Sequence, residues 1–146
     1  MAAEQAKLVA EEKPRTKIIP LFGASFAAGP GEPDFGNAWE SYEIAHDSPA
    51  DFAVHITGDS MEPHIKDDSI VLAKNVMPKD GEVGAFMVDG DFLCKQYCRD
   101  VLGNVYLFSL NRERADLDVT VWANGDRTLR CFGTILMNKK VPLPIK

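Results

Sequence analysis

The stretch GDSMEP at residues 58–63 decides how this chain is read, because it directly follows an alternating apolar run at 51–57 and opens with a glycine. A strand that ends in such a turn can present the hydroxyl of Ser60 and free backbone N–H groups at one point. Serines are common in ordinary turns, so this serine alone does not indicate chemistry.

A lysine in an apolar setting changes that interpretation. Lys95 lies in the strand-like run DFLCKQY at 91–97, next to Leu93 and Cys94. Removal from water disfavours the ammonium form and lowers the pKa of a lysine. A neutral amine can take the proton of a serine hydroxyl, so Ser60 and Lys95 together predict a Ser-Lys variant of the catalytic triad. A lysine that protects an edge strand is the ordinary alternative.

Size and composition indicate one globular domain with an arm. The chain has 146 residues, 45% of them hydrophobic and 26% charged, and a formal net charge of −6. The acidic balance argues against nucleic-acid contact by this segment, because such proteins usually carry a basic face. Three cysteines without framework spacing predict reduced thiols and a cytoplasmic location. The sequence shows no signal peptide and no apolar run long enough to span a membrane.

The chain divides into an arm and a domain. Residues 1–16 are rich in Ala, Glu and Lys and are predicted to form a linker or arm, and residues 17–146 the domain. Within the domain, four glycines and two prolines among small residues at about 23–37 predict a loop. That loop contains Ala28-Gly29, which is the single Ala-Gly bond of the sequence.

Beyond this loop, β signals dominate. The strand-like run at 16–22 is interrupted by Pro20, which favours an edge position. Asp89-Gly90 between two strand-like runs predicts a tight hairpin. We expect an all-β fold, a twisted and partly closed β-sheet assembly. Further predicted strands lie at 51–57, 69–73, 82–88, 91–97, 104–110, 119–122 and 129–136.

The joint pattern resembles the LexA/UmuD-like family of self-cleaving serine peptidases, which includes the C-terminal domains of SOS and prophage repressors. The resemblance rests on GDSMEP at 58–63, the DDSIVL stretch at 67–72, DGEV at 80–83, Lys95, and the later SLN and FGTI segments. It covers roughly residues 17–146 and implies a LexA-like fold.

The resemblance also implies the roles of individual residues. Ser60 would be the nucleophile and Lys95 the general base, with the backbone N–H groups of Ser60 and Asp59 forming the oxyanion hole. The cleavage site would be Ala28-Gly29. No cofactor and no metal are implied, and the three histidines lack metal-ligand spacing.

By the same resemblance, the chain is the peptidase and dimerisation domain of a LexA/CI-like repressor that cuts itself in the DNA-damage (SOS) response. Expected partners are a second copy of the chain and a RecA-type recombinase filament as co-protease. Contact with operator DNA would require an upstream helix-turn-helix that these 146 residues lack.

Three other functions remain open from the sequence. A UmuD-like translesion polymerase accessory protein would be activated by the same cut and suits the length. A binding module without peptidase activity would keep the fold alone. A signal peptidase would share the Ser-Lys chemistry but is expected to have a membrane anchor.

Other polar residues receive plainer interpretations. His64 is an alternative base that lacks an evident orienting partner. Glu62 is expected either to accept a hydrogen bond or, by the favoured interpretation, to face solvent, and the charged segments 112–114 and 116–118 are interpreted as surface loops.

Overall fold

The structure is a computed structural model that describes residues 15–23 and 40–144. The described residues form nine β-strands and a 3-10 helical segment at Arg112–Leu117. The strands are β1 Thr16–Gly23, β2 Glu40–Ala45, β3 Phe52–Ile56, β4 Ser69–Lys74, β5 Val83–Val88, β6 Asp91–Arg99, β7 Val105–Phe108, β8 Val119–Val121 and β9 Leu129–Ile135. The predicted arm at 1–16 and loop at 23–37 lie almost entirely outside the described residues.

All nine strands belong to one mixed sheet in the order β2-β1-β3-β4-β9-β5-β6-β7-β8. β1 and β3 pair in parallel, and every other neighbouring pair of described strands is antiparallel. The all-β prediction is therefore confirmed. Among the described strands β2 and β8 lie at the two ends of the order, so the sheet is open rather than a barrel.

The edge position predicted for the strand that contains Pro20 is wrong. β1 lies second from the end of the sheet, between β2 and β3. It pairs with β2 from Thr16 to Leu21, but its pairing with β3 begins only at Leu21. Pro20 thus sits just before the second ladder starts, where the missing N–H removes no bond to β3.

The remaining predicted strands are present with ends shifted by a residue or two. In the β5–β6 hairpin, Asp89 and Gly90 both have positive φ, 50° and 89°, while Val88 pairs with Asp91. This is the backbone of the predicted tight turn. β2 was not predicted, because only Ile44 of its six residues is buried and the apolar signal is correspondingly weak.

Hydrophobic cores cover both faces of the central strand β5, all of whose residues are buried. Val83, Ala85 and Met87 join a cluster with Phe52, Val54 and Phe132. The alternate residues Phe86 and Val88 join a second cluster with Tyr97 and Leu107. Side chains of a strand alternate between the faces, so a strand covered on both sides is apolar throughout.

Candidate active site

The turn that carries Ser60 follows β3 and begins at a glycine that the backbone requires. Gly58 has φ +93°, a region that side chains disfavour, and its N–H donates to Asp67 Oδ1 at 2.7 Å. Met61, which is 1% exposed, packs into the core directly after Ser60. The buried methionine anchors the turn and leaves the half-buried serine beside it at the surface of a cleft.

The chain returns to β4 through a second tight turn. Asp68 has φ +65°, its N–H donates to Ile56 O at 2.7 Å, and its carboxylate lies 2.7 Å from His55 Nε2. Of the two interpretations of Glu62, the structure shows the hydrogen bond: its Oε2 accepts the N–H of Asp67 at 3.1 Å. These bonds join the turn that carries Ser60 to the turn that leads into β4.

Lys95 is buried in β6, with 3% of its surface exposed. Its Nζ donates a hydrogen bond to Ser109 Oγ at 2.8 Å. Burial lowers the pKa of Lys95, and the carboxylate of Asp118 acts in the opposite direction. The lowered pKa makes the neutral amine, which is the form that can accept a proton, available at less alkaline pH.

Ser109 was not assigned a role from the sequence, although it holds the lysine. It lies one residue beyond β7, where the pairing of Gln96 with Phe108 places it across from Lys95. Asp118 fixes its backbone, since Asp118 Oδ1 accepts the Ser109 N–H at 2.8 Å. Arg112 binds both oxygens of Asp118 at 3.0 and 2.9 Å, which orients that carboxylate.

The segments 112–114 and 116–118 lie at the surface as predicted, but residues 112–117 form a 3-10 helical segment rather than loops, and several of their charges are paired. Besides the Arg112–Asp118 pair, Arg114 Nη1 lies 2.8 Å from the Oδ1 atom of Asp59, the residue before Ser60. Asn111 caps the 3-10 segment, and its Nδ2 donates to Asp59 O at 3.0 Å. The two contacts with Asp59 join residues more than 50 positions apart, so local charge patterns could not reveal them.

Ser60 and Lys95 line the same cleft, which has a volume of about 450 Å³. β3, β6 and the segment 116–119 form its walls, and His55 lies in the wall from β3. Asp59 is adjacent in sequence and turned toward Arg114. Both predicted catalytic side chains thus line one cleft, while the hydrogen-bond partner of Lys95 Nζ is Ser109.

Cys94, the residue before Lys95, carries a thiol whose protonation state is set by burial. Burial raises the pKa of Cys94 to about 12, with Lys95 acting against it. The thiolate is the reactive form of a cysteine, so the raised pKa keeps Cys94 in its unreactive neutral form. All three cysteines are free, in agreement with the predicted reduced thiols.

Two other predicted site features lie elsewhere. The Ala28-Gly29 bond falls outside the described residues. His64, the alternative base, lines a separate depression with Ile70 and Met137.

Within 15–23 and 40–144, no helix is long and apolar enough to cross a membrane.

Comparison with known protein families identified a match over most of the chain. A family model described as Peptidase S24-like matches residues 20–136, from within β1 to just beyond β9, and the match includes both Ser60 and Lys95. A search of curated proteins gave no match.

Proposed function

The chain belongs to the Peptidase S24-like family of serine peptidases, and from this premise we propose that it cuts its own Ala28-Gly29 bond with a Ser60–Lys95 dyad. The observation that carries the proposal is the buried Lys95 amine, hydrogen-bonded to Ser109 at 2.8 Å and lining the same cleft as Ser60. A buried amine of lowered pKa is a suitable general base.

In the proposed reaction, Ser60 Oγ attacks the carbonyl carbon of Ala28 while the neutral Lys95 amine accepts the hydroxyl proton. The oxyanion accepts hydrogen bonds from the backbone N–H of Ser60, with that of Asp59 as its neighbour. The bond to Gly29 then breaks, and Lys95 returns the proton to the leaving amine. Water hydrolyses the ester between Ser60 and Ala28 and restores the enzyme. Attack within one chain has a high effective concentration.

At the cellular level, we propose that this cut regulates a LexA/CI-like repressor in the response to DNA damage. Cleavage would separate an upstream DNA-binding domain from the peptidase domain. A RecA-type recombinase filament would favour the state in which the cleavage segment occupies the cleft, and a second copy of the chain would be the dimer partner. The family resemblance and the acidic net charge support this role.

Incubating the chain at rising pH should release a fragment that begins at Gly29, and the Ser60→Ala variant should stay intact. The alanine variant removes the attacking oxygen while leaving the half-buried turn otherwise unchanged. Intact mass and N-terminal sequencing identify the cut, and circular dichroism checks that both proteins fold. A fragment of the same mass from Ser60→Ala would contradict the proposed nucleophile.

The same incubation with recombinase filaments separates two outcomes if the wild-type chain stays intact by itself. Cleavage that requires filaments identifies the filament as a co-protease. A wild-type chain that remains whole with filaments at every pH would contradict the peptidase and favour a binding module.

Ser109→Ala should slow cleavage by roughly 10- to 100-fold where the rate no longer depends on pH, because the amine of Lys95 loses the group that orients it. The midpoint of the pH–rate profile should also move to lower pH. A hydrogen bond from the charged ammonium is stronger than one from the neutral amine, so its loss lowers the pKa further. Ser109→Thr keeps a hydroxyl and serves as the control. If the plateau rate and the midpoint of the pH–rate profile are unchanged in Ser109→Ala, Ser109 has no role in orienting Lys95.

A further inference from the structure

We propose that Arg114 is a positioning residue, which holds the turn around Ser60 in its reactive place through the ion pair with Asp59. The inference rests on the proposed function, because it names the group that orients the nucleophile of that reaction. Arg114 does not line the cleft in the described structure and so acts through Asp59.

Three bonds fasten the nucleophile turn to the neighbouring segment at 110–114. Arg114 Nη1 binds the carboxylate of Asp59 at 2.8 Å. The backbone N–H of Asn111 donates to Ser60 O at 2.9 Å, and its side-chain amide donates to Asp59 O at 3.0 Å. The two hydrogen bonds from Asn111 thus hold the carbonyl groups of Asp59 and Ser60, and the ion pair holds the side chain of Asp59.

The guanidinium geometry of Arg114 suits this task. While Nη1 contacts Asp59, Nε lies 3.3 Å from Asp116 Oδ1. Asp116 lines the cleft, so one planar side chain connects the turn that carries Ser60 to the cleft wall at 116–119. A lysine ammonium has no such fork and could not hold both carboxylates in fixed directions.

The same stretch of chain also holds the base. Ser109 and Asp118, which flank the segment with Arg114, fix Lys95 through the bonds described above. Nucleophile and base are thus both fastened to residues 109–118. A displacement of this segment relative to the turn would change the distance between the two reacting groups.

Because the ion pair is partly exposed, its effect on the stability of the fold can be distinguished from its effect on the reactivity of Ser60. The side chains of Arg114 and Asp59 are 37% and 48% exposed. Ion pairs at such positions contribute little to the free energy of unfolding. Breaking this pair should therefore reduce reactivity far more than stability.

The test compares the full chain with Arg114→Gln, Asp59→Asn and the double variant, and uses two readouts. One is the self-cleavage rate across pH, and the other is the rate at which an aryl fluorophosphonate labels Ser60, measured by intact mass. Each single variant should lose roughly 10- to 100-fold in the plateau rate and in labelling. The double variant should lose no more than either single one, because the two residues act as one pair.

Three control variants separate the position of the turn from its charge and from the stability of the fold. Asp59→Asn breaks the pair but keeps the charge of Arg114, whose field lowers the pKa of Lys95, so a shared plateau loss reports position rather than charge. Arg114→Lys should recover only part of the rate. Arg99→Gln, which removes an exposed guanidinium at the far end of β6, should behave as wild type. Thermal unfolding should be nearly unchanged in all variants.

The outcomes distinguish this inference from the proposed function. If wild type is labelled and cleaves but Arg114→Gln does so equally fast, the positioning role is wrong and the peptidase stands. Additive losses in the double variant, or losses that follow the unfolding temperature, would also overturn it. A wild-type chain that neither cleaves nor reacts with the fluorophosphonate overturns the proposed function, and the positioning role with it.

Discussion

The Lys95→Met variant should lose self-cleavage by about 10³- to 10⁴-fold, the contribution expected of a general base that also supplies the leaving-group proton. Methionine has a similar length and fills the buried space, so the change removes the amine and little else. Lys95 as a residue is only 3% exposed, so the replacement is made at a buried position. Intact mass over a time course at several pH values measures the loss.

The self-cleavage rate of the wild-type chain is expected to depend on pH, and the Lys95 variants are compared with that profile. The pKa of Lys95 is lowered by burial from its ordinary value of 10.5, and the active form is the neutral amine. The rate should therefore rise as pH increases toward that lowered pKa and level off above it. Lys95→Met should show no such rise, and Lys95→Arg, which stays charged, should be equally inactive.

Stability provides the control for the methionine variant. Burying an amine costs free energy, so Lys95→Met should unfold at the same or a higher temperature than wild type. An inactive variant that melts at a lower temperature would point to misfolding instead. Cleavage by Lys95→Met at the wild-type rate would show that another group removes the serine proton.

The sequence predicted those parts of the fold and site that depend on local patterns. Alternation of apolar residues located most strands, and Asp89-Gly90 located a hairpin, because both properties are encoded within a few residues. Ser60 and Lys95 stood out by their settings, and the structure places both in one cleft. The weakly apolar strand β2 had no such local signal.

The parts that were missed depend on register and long-range contact. Ser109 reaches Lys95 only because β6 and β7 pair with Gln96 opposite Phe108, and a shift of one residue would move it to the other face. Arg114 is 55 residues from Asp59 in sequence, so its charge alone indicated only a solvated surface. A prediction of how β6 and β7 pair across the turn at 100–104 would have placed Ser109 opposite Lys95.

The Gly133→Ala variant should lose about 3 kcal/mol of unfolding free energy, at the upper end of the cost of overpacking. A Cβ on Gly133 would overlap the backbone carbonyl oxygen of Lys74 and lie 2.9 Å from Cε1 of Phe52. Since a backbone carbonyl cannot rotate away as a side chain can, β4 and β9 would have to move apart. For a chain of this size the melting temperature should fall by roughly 10 °C, which thermal denaturation measures.

Because Gly133 lies at the junction of β4 and β9, this clash should change the placement of Ser60 relative to Lys95 as well as the stability of the fold. In the order of the described strands, β4 and β9 form the junction between β2-β1-β3-β4 and β9-β5-β6-β7-β8. Their pairing comprises Ala73 with Ile135 and Lys74 with Thr134, directly beside the glycine. Ser60 follows β3 on one side of this junction and Lys95 lies in β6 on the other. Gly133→Ala should therefore slow cleavage even at temperatures where the protein remains folded.

Gly90→Ala is the matched control, because it separates close approach from backbone strain. Gly90 has φ +89°, but a Cβ there would meet nothing within 4 Å. Its replacement should cost about 1 kcal/mol, from the left-handed conformation alone. If both variants lose the same stability, the contact with Lys74 is not what limits the junction. A larger loss in Gly133→Ala, with slower cleavage, would show that the close approach of β4 and β9 sets the spacing between nucleophile and base.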